Sequence, residues 1–542
     1  MPRTVLAALA ATLLVSAGGA CAATPHYAPS AAAAGTYYVS PGGDDSADGS
    51  SPGKAWRSLA RADQVKLRPG DKLLLQGGAR FPGTVTVGAD EAGEAGRPVV
   101  IGSYGTGRAR IDSADSPGVS VHNTAGVDIR DLTLRGRGAA AGKDAGVNLY
   151  SDRRSDGRRE HVSVSGVDVS GFRVGIAVGA TEDDNGFKDV SVRQTHLHDN
   201  RDAGLLTYGA DFDPARRAYA HENVDIEDVE AYENHGDPAA VDRHTGDGII
   251  LGGVRGATLR NSSAHDNGGR SATHATAGPV GLWAYDSTRV LIEHSSSYRN
   301  HTRSTVDGSG FGFDSNVSDS KIQYNVSYEN DGSGYYVFSR NRDGTHTGNT
   351  IRYNISTDDA RKLPLHGALT VYGKRIQDLA VYQNTVVMSH SPGGRGPAVL
   401  LRDGNSGVSI RNNILVTEGD PLVSADAALS TDQVVLQGNV YHTTKGEWAV
   451  KWGDRTYSDL AAWRAGTGQE RVGGKATGAV ADPCFAGGAL PGLRTPEDAG
   501  LVVPGCPRDG LDLHALFGTD AGGVDYFGRD AGDPPAVGAV EP

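Results

Sequence analysis

Basic charge, long apolar runs and metal-binding patterns are all scarce in this chain. Lys and Arg number 52 against 65 Asp and Glu, a formal net charge of −13. That balance argues against a general nucleic-acid binder, which needs a basic footprint. Beyond the first residues no stretch approaches the ~20 apolar residues of a membrane-spanning helix. The 17 histidines form neither an H-E-x-x-H nor a Cys/His pattern, so no zinc site is expected. No P-loop occurs, and no G-x-G-x-x-G in a strand-to-helix setting. Asn-Gly hairpin signals, which an antiparallel sandwich would use between strands, are few. There are only three cysteines. Cys484 and Cys506 lie close together late in the chain and suit a disulfide in an oxidising compartment.

Residues 1–22 read as an export signal: Arg3, an Ala/Leu/Val run to about Val15, then an A-x-A-like site at Ala20-Cys21-Ala22. An Ala/Pro/Ser-rich linker follows over 23–35. The expectation is a secreted, extracellular protein with no membrane span. Cys21 leaves with the signal in this reading. The alternative is a lipoprotein anchored through Cys21, for which Gly19 and Ala20 are suited while Gly18 stands where that pattern prefers Leu.

What the chain has is glycine, 76 residues, about double average usage, and internal repetition. Short alternating segments recur, among them Val127–Leu134, Val190–Leu197, Val224–Ala231, Leu291–Tyr298, Ile322–Tyr328 and Ile351–Ser356. Period-two alternation in pieces this short means strands. Two asparagine columns set the register: Asn200, Asn234, Asn267, Asn300, Asn330 and Asn325, Asn354, Asn384, Asn413, Asn439, spaced by 26 to 34 residues. Asn tolerates the left-handed turn conformation and bonds its own backbone. Stacked at the inter-strand spacing of ~4.8 Å, such side chains also bond one another, and they read as structural ladders. Coils of this kind bury Val, Ile and Leu against their neighbours and are not stable singly.

The opening Tyr37-Tyr-Val-Ser-Pro-Gly-Gly-Asp-Asp45, Ala55-Trp-Arg-Ser-Leu59, Arg68-Pro-Gly-Asp71 and the ending Asp530 to Pro542 resemble the right-handed parallel β-helix superfamily of pectate-lyase-like polysaccharide lyases and β-helix glycoside hydrolases. The resemblance covers Tyr37 to the end. It implies an all-β fold, a single solenoid with an N-terminal helical cap, in which Ala55–Val65 forms the helix, and a C-terminal cap stapled by Cys484 and Cys506. The expected division is cap and first coils over 36–120, the β-helix carrying the site over 121–444, and terminal coils with cap over 445–542. A monomer acting on a polysaccharide is expected.

Aligning the strand glycines Gly204, Gly248, Gly281, Gly310, Gly334 and Gly367 turns the second and fourth residues after each outward, because strand side chains alternate. That outward set holds Trp283, Tyr285, Asp314, Tyr336 and Phe338, with Tyr208 farther along. Exposed aromatics of this kind make stacking platforms for sugar rings. Asp314 between aromatics is expected to be partly desolvated, as a general acid requires. Long polar loops follow each Asn and supply Asp247, Asp307, His244 and His274, and Arg342 follows the aromatic strand Tyr335–Phe338; His244, His274 and Arg342 are the candidate substrate contacts there. Asp247 and Asp307 also stand where turn residues are common. Hydrolysis of a glycosidic bond needs two carboxyl groups, and the expectation is Asp314 with Asp307 or Asp247. Coils two steps apart put Asp247 and Asp314 on the order of 10 Å apart, favouring inversion. The alternatives are a calcium-dependent polysaccharide lyase acting on a uronate-containing glycan, with Asp237, Asp242 and Asp247 as oxygen ligands and a basic group in Arg340, Arg342, Arg361, Lys362, Lys374 and Arg375, and a non-catalytic glycan-binding surface. No certain cofactor is expected; calcium is the candidate.

Overall fold

The computed structural model describes residues 33–91, 93–154, 157–340, 346–363, 365–390 and 396–542. The leader, Cys21, most of the linker and Arg342 lie outside the described residues. Within them a sheet of 26 strands and one of 14 wind together as a solenoid of about 12 coils. The antiparallel strand ladders among the described residues are both late and short, Val450–Trp452 with Arg455–Tyr457 and Arg471–Val472 with Lys475–Ala476.

Each coil places one inward residue directly over the last. One such column runs Ile129, Val164, Val192, Ile226, Leu259, Ile292, Ile322, Ile351, Val381, Ile410 and Leu436, and all of them are buried. Removing each such side chain from water contributes roughly 1.5–3 kcal/mol, a gain realised only when a neighbouring coil supplies the other half of the contact.

Both asparagine ladders form, and they are buried. In the first, each amide Nδ2 donates to the next Oδ1, from Asn200 to Asn234, Asn267, Asn300 and Asn330, at 2.9–3.1 Å. The second runs likewise from Asn325 to Asn439. The left-handed corner is not the asparagine itself. The residue before each takes it: Asp199, Glu233, Asp266, Arg299 and Glu329 in one column, Tyr324, Tyr353, Gln383 and Asn412 in the other, with φ of 49–55°. The ladder holds those residues in a conformation disfavoured for side chains, while Asn's own backbone N–H is turned toward the next coil's Oδ1.

Each ladder ends on a buried carboxyl. Asp359 Oδ1 accepts from Asn330 and its Oδ2 from the Ser356 hydroxyl. Glu470 Oε1 accepts from Asn439 and Tyr441. Burial pushes Asp359 up to about 7, against the donors around it. A carboxyl raised in the folded chain stabilises it fully below the unfolded pKa near 4, and that contribution is lost as pH rises through about 7. Asp359→Asn keeps an acceptor for Asn330 and removes the charge. Its stability in urea is expected to match the parent near pH 4 and exceed it by on the order of 2 kcal/mol at pH 8; a gap that stays constant with pH would show that Asp359 does not titrate there.

At the amino-terminal end the helix is shorter than expected, one turn over Leu59–Ala62, with Trp56 and Leu59 buried in the first coils. At the other end helix Leu460–Thr467 packs Trp463 against Tyr441, Trp448 and Trp452. The disulfide Cys484–Cys506 is present. The segment holding it runs back along the outside of the larger sheet: Asn412 donates to Leu511 O, Tyr382 to Asp520 O and Tyr328 to Arg494 O. No helix among the described residues is long and apolar enough to cross a membrane.

Candidate active site

The smaller sheet carries the predicted wall. Trp283 pairs in register with Gly312, Gly312 with Tyr336 and Tyr336 with Thr370. One column over, Asp314 stands between Tyr285 and Phe338, since Ala284, Phe313 and Val337 are successive partners. The expected side chains therefore share one face. They do not form an open platform, because Trp283, Tyr336 and Asp314 are only 3%, 5% and 8% exposed. Loops around His244, Thr276, Val306 and Leu365 fold over them and turn Trp283 and Tyr336 into a second apolar cluster with Ile250 and Val280. What stays open is a cavity of about 390 Å³ whose lining includes His244, Asp307, Asp314, Tyr336, Phe338, Arg340, Leu365, His366, Thr370 and Tyr372.

Asp307 and Asp314 bracket one strand, Ser309–Phe313. Asp307 takes the left-handed turn conformation, φ 56°, so the turn duty and the cavity position coexist. Its Oδ2 accepts from Gly278 N at 2.6 Å. Burial pushes its carboxyl up to about 6, with His244 opposing and Asp314 adding to the rise. Asp314 Oδ1 accepts from the Ser315 hydroxyl at 2.9 Å, and its Oδ2 lies 3.9 Å from His244 Nε2. The other face of His244 is fixed: Nδ1 donates to Gly278 O at 2.7 Å, and the ring packs on Trp283. Burial works against a charge on His244, but Asp247, Asp307 and Asp314 together outweigh it and raise the ring above its ordinary value.

Asp247 is not a partner across the cavity. It begins its strand, whereas Asp314 follows the end of its own, so counting coils alone overlooked the distance along the strand. Fully buried, it accepts from Val280 N and Trp283 Nε1 through Oδ1, while Oδ2 has no hydrogen-bond partner. Burial pushes it up to about 7, with His244 opposing. Its charge acts on His244, whose ring it helps to raise. Asp247→Asn is therefore expected to move the His244 ring titration to lower pH, as followed by NMR; an unchanged midpoint would remove Asp247 from that role.

Other expected residues do not converge. His274 is exposed on its loop and does not line the cavity. Asp237 pairs with Arg243 at 3.3 Å and Arg201 at 3.7 Å, and Asp242 is exposed. With Asp247 buried behind Trp283, the three do not make a calcium cage, and no cluster of metal-ligating side chains forms among the described residues. Of the basic group, Arg340 lines the cavity, while Arg361 pairs with Asp358 and Lys362 with Asp331. Asp286 is a turn residue, φ 46°, held by Asn316.

Thr370 and Tyr372 escaped the sequence reading for a definable reason. Aligning Gly367 with the other strand glycines placed Leu369 and Val371 outward. They pair instead with inward Tyr335 and Val337, so the alignment slips by one residue, and a one-residue slip exchanges the faces of a strand. His366 hydrogen-bonds the Ser333 hydroxyl, and burial, with Arg402 nearby, holds its ring down at about 4.

Residues 155–415 match the family described as the right handed beta helix region. The fold is a right-handed parallel β-helix. Among solved structures, this β-helix is similar to a GH136 lacto-N-biosidase from Eubacterium ramulus, at 18% identity over 77% of this chain and 68% of that one, with a TM-score of 0.50. It is also similar to pectate lyase Pel9A, at 18% identity over 67% and 79% with a TM-score of 0.40. An alginate lyase from a Paenibacillus strain matches at 14% identity over 63% and 97% with a TM-score of 0.38. At such identities the likeness shows the β-helix and not its reaction. Comparison with curated proteins finds no match.

Proposed function

We propose that this β-helix is a carbohydrate-active enzyme that cleaves a polysaccharide outside the cell, and specifically a glycoside hydrolase using Asp307 and Asp314. The observation that carries the reading is two carboxyl groups in one partly apolar cavity, with His244 beside Asp314 and burial holding the Asp307 proton on to about pH 6. Asp307 delivers that proton to the leaving oxygen as the glycosidic C–O bond breaks. Asp314, with the Ser315 hydroxyl donating to it, meets the developing positive charge at the anomeric carbon, either directly or through an activated water. His244 and Asp247 hold the charges around the pair. The similar lacto-N-biosidase is a precedent for sugar-bond cleavage on this fold.

A lyase reading draws on Arg340, the cation at the cavity wall, as the group that would neutralise a uronate. The chain's net acidity weighs against attracting polyanions. One experiment separates the readings: purified protein on neutral and uronate-containing glycans, with and without chelator, followed by reducing ends and ultraviolet absorbance. Hydrolysis predicts reducing ends on a neutral glycan, no unsaturated product and no effect of chelator. Ultraviolet-absorbing product would establish the lyase, and binding with neither signal would leave a non-catalytic glycan-binding protein.

A further inference from the structure

The column that holds Asp314 does not stop at the cavity. Toward the amino terminus the same outward position is Tyr285, then Gly252, Tyr208, Gly179, Tyr150 and His122 on successive coils. Tyrosine and glycine alternate, and the alternation has a steric consequence. A Cβ on Gly179 would lie 2.3 Å from the Tyr208 ring, and one on Gly252 would lie 2.2 Å from the Tyr285 ring. Tyr208 and Tyr285 each lean across the glycine of the preceding coil and occupy the space a side chain would take there, while Tyr150 stacks on His122, so three tyrosines pave six coils. All three are half-buried. Leu206, Tyr208 and Tyr285 join the apolar cluster under the cavity, so the strip is continuous with it. At its far end His122 stacks on Tyr150 and pairs with Asp152 at 3.2 Å.

We propose that Tyr150, Tyr208 and Tyr285 form a row of distal subsites for an extended, neutral, β-1,4-linked polysaccharide whose chain runs along the solenoid axis into the cavity. This rests on the glycan-cleavage reading of the cavity. Successive tyrosines are two coils apart, about 10 Å, and the strip from Tyr150 to Asp314 is about 24 Å long at ~4.8 Å per coil. In an extended β-1,4-linked chain neighbouring sugars face opposite ways, so every second sugar presents the same face, and a disaccharide advances by about the length of two coils. One tyrosine per disaccharide is the spacing that arrangement meets. Neutral sugars fit the margins, because at Tyr208 the charges of Arg173 and Asp144 oppose one another, while Asp286 beside Tyr285 would repel a polyuronate.

The test is calorimetric binding to the full chain carrying Asp314→Asn, which prevents turnover, with β-1,4-linked gluco-, manno- and xylo-oligosaccharides as disaccharide and hexasaccharide, and hexagalacturonate as the polyanion. At least one neutral hexasaccharide is expected to bind at least tenfold tighter than its disaccharide. Tyr150→Ala and Tyr208→Ala should each weaken the hexasaccharide by roughly tenfold, the usual worth of an aromatic contact, with Tyr208→Phe restoring it and unchanged melting temperatures excluding misfolding. Affinity independent of chain length, indifference to both alanine variants, or equal binding of hexagalacturonate would overturn the proposal. Tyrosine-dependent binding in a parent chain that releases no sugar ends would sink the catalytic reading and leave the strip standing; turnover without tyrosine dependence would do the reverse.

Discussion

Asp307→Asn is expected to lower turnover on a cleavable glycan by about a thousandfold, within the 10²–10⁴ that a positioned acid contributes. The side chain sits where an isosteric amide is tolerated, since Asn Oδ1 can still accept from Gly278 N. The loss therefore follows from the missing proton and not from a missing turn. The pH profile carries the diagnostic signature. In the parent, activity falls as pH rises through about 6, where Asp307 gives up the proton that burial has held on; in Asp307→Asn that alkaline limb is expected to disappear from the residual rate. Asp314→Asn should be at least as damaging, because Asp314 meets the reacting carbon, and any residual rate should keep the alkaline limb, moved to lower pH because the Asp314 charge no longer adds to the rise of Asp307. If Asp307→Asn turned over within threefold of the parent, the acid would have to be sought elsewhere in the cavity. The unfolding midpoint of Asp307→Asn should not fall, because removing a buried carboxyl with a raised pKa relieves the fold at neutral pH.

Asn300→Ala should cost the most stability of any single replacement discussed, on the order of 3–5 kcal/mol. Asn300 is fully buried and spans three coils. Its Nδ2 donates to Ala264 O, Ser297 Oγ and Asn330 Oδ1, and its Oδ1 accepts from both Nδ2 and the backbone N–H of Asn267. Alanine leaves donors and acceptors on both neighbouring coils without partners in a water-free interior, and an orphaned buried group carries its full desolvation penalty. It also releases the support for the left-handed Arg299 before it. Urea unfolding should show an earlier transition for coils around residue 300, because a solenoid's stability is a sum over neighbouring contacts. Exposed Lys321→Ala, as a control, should change the midpoint by less than about 0.5 kcal/mol. Equal behaviour of the two variants would mean that the ladder is decoration.

The ladders were legible in the sequence because their period is the coil itself: one Asn per turn, with apolar columns on either side. The aromatic wall was legible for the same reason, as strand alternation assigns a face to each residue once register is set. Where register was set by glycine alone it failed, at Gly367, and Tyr372 was lost with it. The loops carry no period. Nothing in the spacing of His235 to Asp247 announces that His244 turns inward onto Trp283 while Asp237 turns away to Arg243, and nothing announces that Arg402 comes near His366.

Local chain chemistry by itself determined the parallel coils, their asparagine corners and which face carries Trp283, Tyr285, Asp314, Tyr336 and Phe338, because stacking repeats the same few residues at the same few positions. Tertiary structure alone decided which carboxyls meet. Asp307 and Asp314 bracket one strand and face one cavity, Asp247 is held behind Trp283, and the loops that bury this wall set the proton affinity of each carboxyl through desolvation, a property of the surroundings that no single segment contains.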